Sequence, residues 1–181
     1  LPTTASDLYG VWIRSVLDNL DTNLPVGDVL GIAALHAHAA KVREMSIVDL
    51  KQGAHELVRM DKWAGAHAEI YDAVEMIQQL VADGCFPLLT MLQVEPLKFQ
   101  FAHISFQEYL FVTTACEGFL LPKGMEMPWQ WSGWWKNTLS FGIGVGDAFS
   151  NGLLEGCRRV NDVLVQEDEE QVGYLDLTRQ I

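Results

Sequence analysis

Apolar side chains recur at intervals of three and four through the first part of the chain, the spacing that gathers them on one face of a helix. Leu8, Val11, Trp12, Ser15 and Val16 share such a face in a helix that starts near Ser6, leaving Asp7 and Arg14 to water. Thr4 followed by Asp7 has the spacing of a reciprocal cap for its first turn. The polar stretch 19–27, with Pro25, breaks the pattern. A second helix is predicted over about 28–41, capped by Asp28, with Leu30, Ala33, Ala34 and Ala37 as a face small enough for a neighbouring helix to come close. A third is predicted over 46–58 on Leu50, Ala54, Leu57 and Val58, with Ser46 and Asp49 as its capping signal. Over 66–83, Ile70, Ala73, Val74, Ile77, Leu80 and Val81 predict a fourth, and Gly84 is suited to end it in the left-handed region.

After Gly84 the period shortens. Residues 86–91 and 97–101 read as two edge strands, separated by Gln93, Glu95 and Pro96 at the turn. A lone hairpin is only marginally stable, so helices must support it. Three helices followed by a hairpin predict a mainly α fold: a winged-helix domain with a short β-wing, flanked by helical segments. The second strand runs directly into a further helix. Ser105 is positioned to cap it with Glu108 reaching back, and Phe106, Tyr109, Leu110 and Thr113 form its packing face. His103 stands just before that helix start, where an anion would meet free N–H donors and the positive end of the dipole.

Composition narrows the function classes. A chain of 181 residues with 49% hydrophobic positions can bury a substantial core in one domain or two small ones. Its formal charge of −12, from 24 acidic and 12 basic residues, disfavours a broad phosphate-binding surface, and a nucleic-acid-binding winged helix would need a basic recognition helix. Cys85, Cys116 and Cys157 are few and far apart, which argues for buried thiols rather than a disulfide framework or zinc site. No run has the length of a membrane span or the form of a signal peptide, favouring an intracellular setting.

Candidate chemistry is sparse. His36 and His38, two residues apart on a helix, point in different directions, and His55 and His67 fall in other units, so all four read as ordinary histidines. The chain has no Gly-rich phosphate loop ending in Gly-Lys-Ser or Gly-Lys-Thr. Trp129, Trp131, Trp134 and Trp135 form either an exposed partner site or, the favoured reading, a hydrophobic seam between the wing and a following helical region. Gly142, Gly144 and Gly146 alternate with apolar residues in a stretch that reads as a short strand or, the favoured reading, a helical region, with a break at Asn151-Gly152 as an alternative. Glu167, Asp168, Glu169 and Glu170 repel one another and mark a solvated tail. The expected division is a helical entry segment over 1–24, a winged-helix domain over 25–119, a helical portion over 120–165 and an acidic tail or linker over 166–181.

The run Phe101-Ala102-His103-Ile104-Ser105-Phe106-Gln107-Glu108-Tyr109-Leu110 resembles the motif at the end of the winged-helix domain in the NACHT family of signal-transduction NTPases, which includes the NOD-like receptors. Leu1-Pro2-Thr3-Thr4, followed by Asp7-Leu8-Tyr9, is similar to the segment by which that family enters the helices after its nucleotide-binding core. The resemblance covers about 1–119 and extends more weakly beyond. It implies a winged helix that folds over bound ADP and holds the NTPase closed. By this resemblance His103 contacts the terminal phosphate of the nucleotide and Pro2 lies near the adenine. Phe101, Ser105, Phe106, Gln107, Glu108, Tyr109 and Leu110 form a structural motif that positions the histidine. It also implies a non-catalytic piece of a larger cytoplasmic protein, in which a preceding domain holds ADP or ATP with Mg2+. Implied partners are that domain, a following helical or repeat domain and, on activation, further copies of the parent; neither nucleic acid nor a membrane span is implied. The competing reading is a helical interaction scaffold without nucleotide sensing.

Overall fold

The computed structural model describes residues 3–119, 121–122, 125–126 and 130–159. Pro2, Trp129 and the acidic stretch beyond residue 159 lie outside the described residues. Helix α1 spans Ala5–Asp18, α2 Val26–Ala39, α3 Ile47–Val58, α4 His67–Ala82, α5 Ile104–Cys116 and α6 Lys136–Val145. A seventh, α7, is described over 147–159. Strands β1 (Glu44–Ser46), β2 (Leu89–Gln93) and β3 (Lys98–Phe101) form one antiparallel sheet in the order β1-β3-β2.

Helices α2, α3 and α4, with β1 between the first two and the β2–β3 hairpin after the third, give a winged-helix-like topology. The hairpin was legible from the sequence, whereas β1 was not. Its three residues make a strand only because Met45 pairs with Phe99 across the sheet, a partner more than fifty positions away. Both reciprocal caps form: Asp7 accepts from the Thr3 and Thr4 N–H groups and Asp49 from that of Ser46, each at 3.0 Å or less. Gly84, at φ 66°, lets its own N–H reach the Val81 carbonyl and that of Cys85 the Leu80 carbonyl, closing α4 as predicted. Cys85, displayed just past this turn, is exposed rather than buried; the thiols of Cys116 and Cys157 are half-buried, and all three are free.

Two expectations about the first helices change. Helix α2 starts at Val26 with Pro25 at its N-cap, so Asp28 sits inside the first turn and pairs with Lys62 at 2.8 Å. Proline at a helix start costs little, because the N–H it lacks would have no partner there. The inward side of α1 is Ser6 and Ile13, flanked by Tyr9, Val16 and Leu17. The face chosen by spacing is left largely bare, with Leu8 at 57%, Val11 at 55% and Trp12 at 39% exposure.

The core centres on α2, where Val29, Leu30, Ile32, Ala33, Ala34 and Leu35 are wholly inaccessible to water. Each buried branched side chain stabilises the fold by about 1.5–3 kcal/mol relative to exposure. Helix α5 lies against α2, with α1 and α6 also packed on it. Helix α7 continues straight through Asn151-Gly152, where a break was the alternative reading. A Cβ at Gly152 would stand 2.0 Å from the Ala115 carbonyl oxygen and 2.7 Å from the Cys116 Cα, so α7 rests on the backbone of α5 and only glycine permits that distance. Gly152→Ala is expected to destabilise the fold by about 1–3 kcal/mol through forced separation of the helices. Urea unfolding measures this, and a change under about 0.5 kcal/mol would refute the close approach.

Candidate functional site

The strand-to-helix stretch 99–110 brings its side chains to three different places. Phe101 ends β3 buried in the core, and the Ala102 N–H bonds the Leu88 carbonyl at 2.9 Å, which holds the turn against β2. His103 follows in an extended conformation as the N-cap of α5. Its Nδ1 accepts from the Ser105 N–H at 3.2 Å. This role was expected of Ser105, which is instead the second residue of the helix, and buried. The histidine takes the cap because its ring nitrogen stands where a hydroxyl oxygen would otherwise accept.

This correction has a chemical consequence. A nitrogen that accepts carries no proton, so the neutral His103 ring holds its proton on Nε2. The side chain is exposed, and Nε2 has no partner among the described residues. The result is an oriented N–H donor at the start of α5.

Glu108 does not close a capping box around the start of α5. Its carboxyl is buried, bonded to Asn137 of α6 and to the Ser105 side chain; burial raises its pKa, and those two bonds oppose the rise. Gln107 is also wholly buried, and its Nε2 donates to the Val42 carbonyl at 2.8 Å. Leu110 is buried, while Phe106 and Tyr109 are half-buried. The motif residues therefore tie α5 to the loop before β1 on one side and to α6 on another.

Phe106 links His103 to α1. Trp12 stacks on it at 4.6 Å with planes 5° apart, Tyr9 meets it edge-on at 5.6 Å, and the imidazole of His103 lies at 6.2 Å. The bare side of α1 and the outward donor of His103 thus belong to one continuous surface. Spacing alone identified Trp12 only as a packing residue. A neighbouring cleft of about 220 Å³, lined by Thr4, Ser6, Tyr9, Ser105, Asn137 and Ser140 among others, is smaller than ordinary small-molecule pockets.

The tryptophan seam forms at Trp131, Trp134 and Trp135. Trp135 is wholly buried against Phe111 of α5 and His38 of α2, and the Trp134 indole N–H donates to the His38 carbonyl at 3.0 Å. His38 is itself inaccessible and hydrogen-bonds Thr138 Oγ1 at 2.7 Å. His36 points elsewhere, to Glu56 at 2.8 Å. Sequence reading treated His38 as an ordinary histidine, because its aromatic surroundings come from α5 and the segment before α6, far along the chain. Among the described residues no three His, Cys, Asp or Glu side chains converge as a metal site, and no helix is long and apolar enough to cross a membrane.

No family model, curated protein or solved structure matches the chain. The functional reading therefore rests on topology, the motif and the geometry of this surface.

Proposed function

We propose that this chain is the regulatory cover of a nucleotide-dependent signalling switch of the NACHT type, closing over ADP held by a preceding domain of a cytoplasmic parent. The observation that carries the reading is His103: it caps α5 through Nδ1 and thereby presents Nε2–H outward, beside an uncovered apolar face of α1. A phosphate oxygen is a fitting acceptor for that donor, and the helix start adds favourable electrostatics. Leu8, Val11 and Trp12 supply the apolar area by which the preceding domain would seat itself. The chain itself is not a catalyst on this reading; its phosphate contact is one residue, and the phosphate loop and magnesium site belong to the preceding domain. A scaffold without nucleotide sensing would use the same apolar face but would have no need of an oriented donor next to it.

In the intact parent, His103→Ala is expected to weaken ADP retention by about 1–3 kcal/mol, roughly 5- to 150-fold in dissociation constant. The closed population falls only to the extent that ADP prefers the closed state. Because alanine also removes a helix cap, His103→Asn serves as a second variant, retaining a capping side chain while withdrawing the imidazole donor. ADP dissociation and a thermal melt are measured for both. Unchanged ADP release in folded His103→Asn would leave the scaffold reading in its place.

A further inference from the structure

We propose that the outer edge of β2, with the wing tip and the acidic helix α4 beside it, is a docking surface for a basic, extended segment of a partner protein. Among the described residues the sheet order leaves β2 on an edge, paired only with β3. The Ala102 N–H bonds the Leu88 carbonyl, and Leu88 is thus a residue whose polar backbone faces β3. Alternation along an antiparallel ladder then turns the N–H and C=O of Met91 outward, away from β3. Between Leu89 and Gln93 there is neither a lysine nor a proline, the residues that ordinarily guard such an edge. A bulge between Met91 and Gln93 shortens the regular edge, so side chains must supply much of the contact. Met91 is 37% exposed, Leu92 47% and Val94 72%, and Tyr71 on α4 is 42% exposed.

Charge selects the occupant. Helix α4 packs against β2, and no lysine or arginine occurs between Lys62 and Lys98. Glu69, Asp72, Glu75 and Glu95 are exposed and have no cationic partner among the described residues. Lys98 is engaged by Glu44, and Lys62 by Asp28 and Glu117. A second copy of this chain would bring the same unneutralised carboxylates to the edge, and nucleic acid would bring phosphates; both are repelled. A strand of alternating apolar and basic residues satisfies the outward backbone groups, covers the wing tip and neutralises the helix.

The test titrates the full chain into a fluorescently labelled peptide of alternating valine and lysine, and into its valine–glutamate counterpart. Saturable binding of the lysine peptide alone, weakened by salt, is expected. Met91→Pro, which deletes the outward N–H, and the double variant Asp72→Lys with Glu75→Lys are each expected to weaken it about tenfold. The charge variant alters only exposed side chains, so its result decides the matter even if Met91→Pro impairs folding. Absence of binding, equal binding of the glutamate peptide, or lysine-peptide binding untouched by the charge variant would overturn the proposal.

Discussion

Replacing Trp135 with alanine is expected to remove about 3–5 kcal/mol of folding stability, the largest loss for any single side chain in the seam. The indole is wholly buried, stacked on Trp131 at 4.3 Å with planes 10° apart and edge-on to both Phe111 and His38. Its N–H donates to Glu126 at 3.2 Å, and Glu126 also pairs with Lys41 at the end of α2. Truncation therefore leaves a cavity between α2, α5 and α6 and loosens the carboxylate that bridges them. Leu139→Ala, at a position 39% exposed on the α6 helix that follows, is the control and should cost well under about 1 kcal/mol. Urea unfolding monitored by far-UV circular dichroism separates the two; a Trp135→Ala loss no larger than the control's would contradict the seam.

Acidification should act at the same place. Burial lowers the pKa of His38 from 6.5 to about 4, since a charged imidazole among Phe111, Trp134 and Trp135 would lose its hydration. The unfolded chain binds this proton near 6.5 and the folded chain only near 4. Folding stability from this residue is thus complete above the unfolded value and falls as pH drops through the interval between them. The loss approaches about 3 kcal/mol at the lower end. Asp7 and Glu126, whose pKa values are lowered, and Glu108, whose value is raised, add pH dependences of their own. They cancel in a comparison with His38→Leu. The stability difference between wild type and that variant should shift by about 2.5 kcal/mol in favour of the variant between about pH 7.5 and pH 4.5. Urea midpoints at both pH values test this, and a difference independent of pH would mean that His38 is not held neutral by burial.

Where the chain's structure depends on neighbours in sequence, it could be read directly. Thr4 with Asp7, Ser46 with Asp49, and Gly84 after α4 are short-range signals, and each forms as expected. The hairpin was legible for the same reason. Strand β1 was hidden because it pairs with the distant β3, and α1 was misjudged because its sequence carries two overlapping apolar stripes. Spacing ranks Leu8, Val11 and Trp12 as well as it ranks Tyr9, Ile13 and Leu17; packing against α5 and α6 decides between them. In the candidate site, the position of His103 before α5 was evident, but its role as the cap was not. That depends on where the first helical turn closes, one or two residues from where the Ser105 and Glu108 spacing suggests. His38 gave no local signal at all, since the residues that bury it lie some seventy to a hundred positions away.

The parallel contact between Trp131 and Trp135 has an optical consequence. Two indoles this close couple their electronic transitions, so the folded chain should carry a paired positive and negative band in circular dichroism that neither ring produces alone. The pair bridges the segment before α6 and the core formed by α2 and α5. Parting of that junction would extinguish the paired bands while leaving the helical signal, giving an unlabelled readout of whether movement at the start of α5 reaches the helices beyond it.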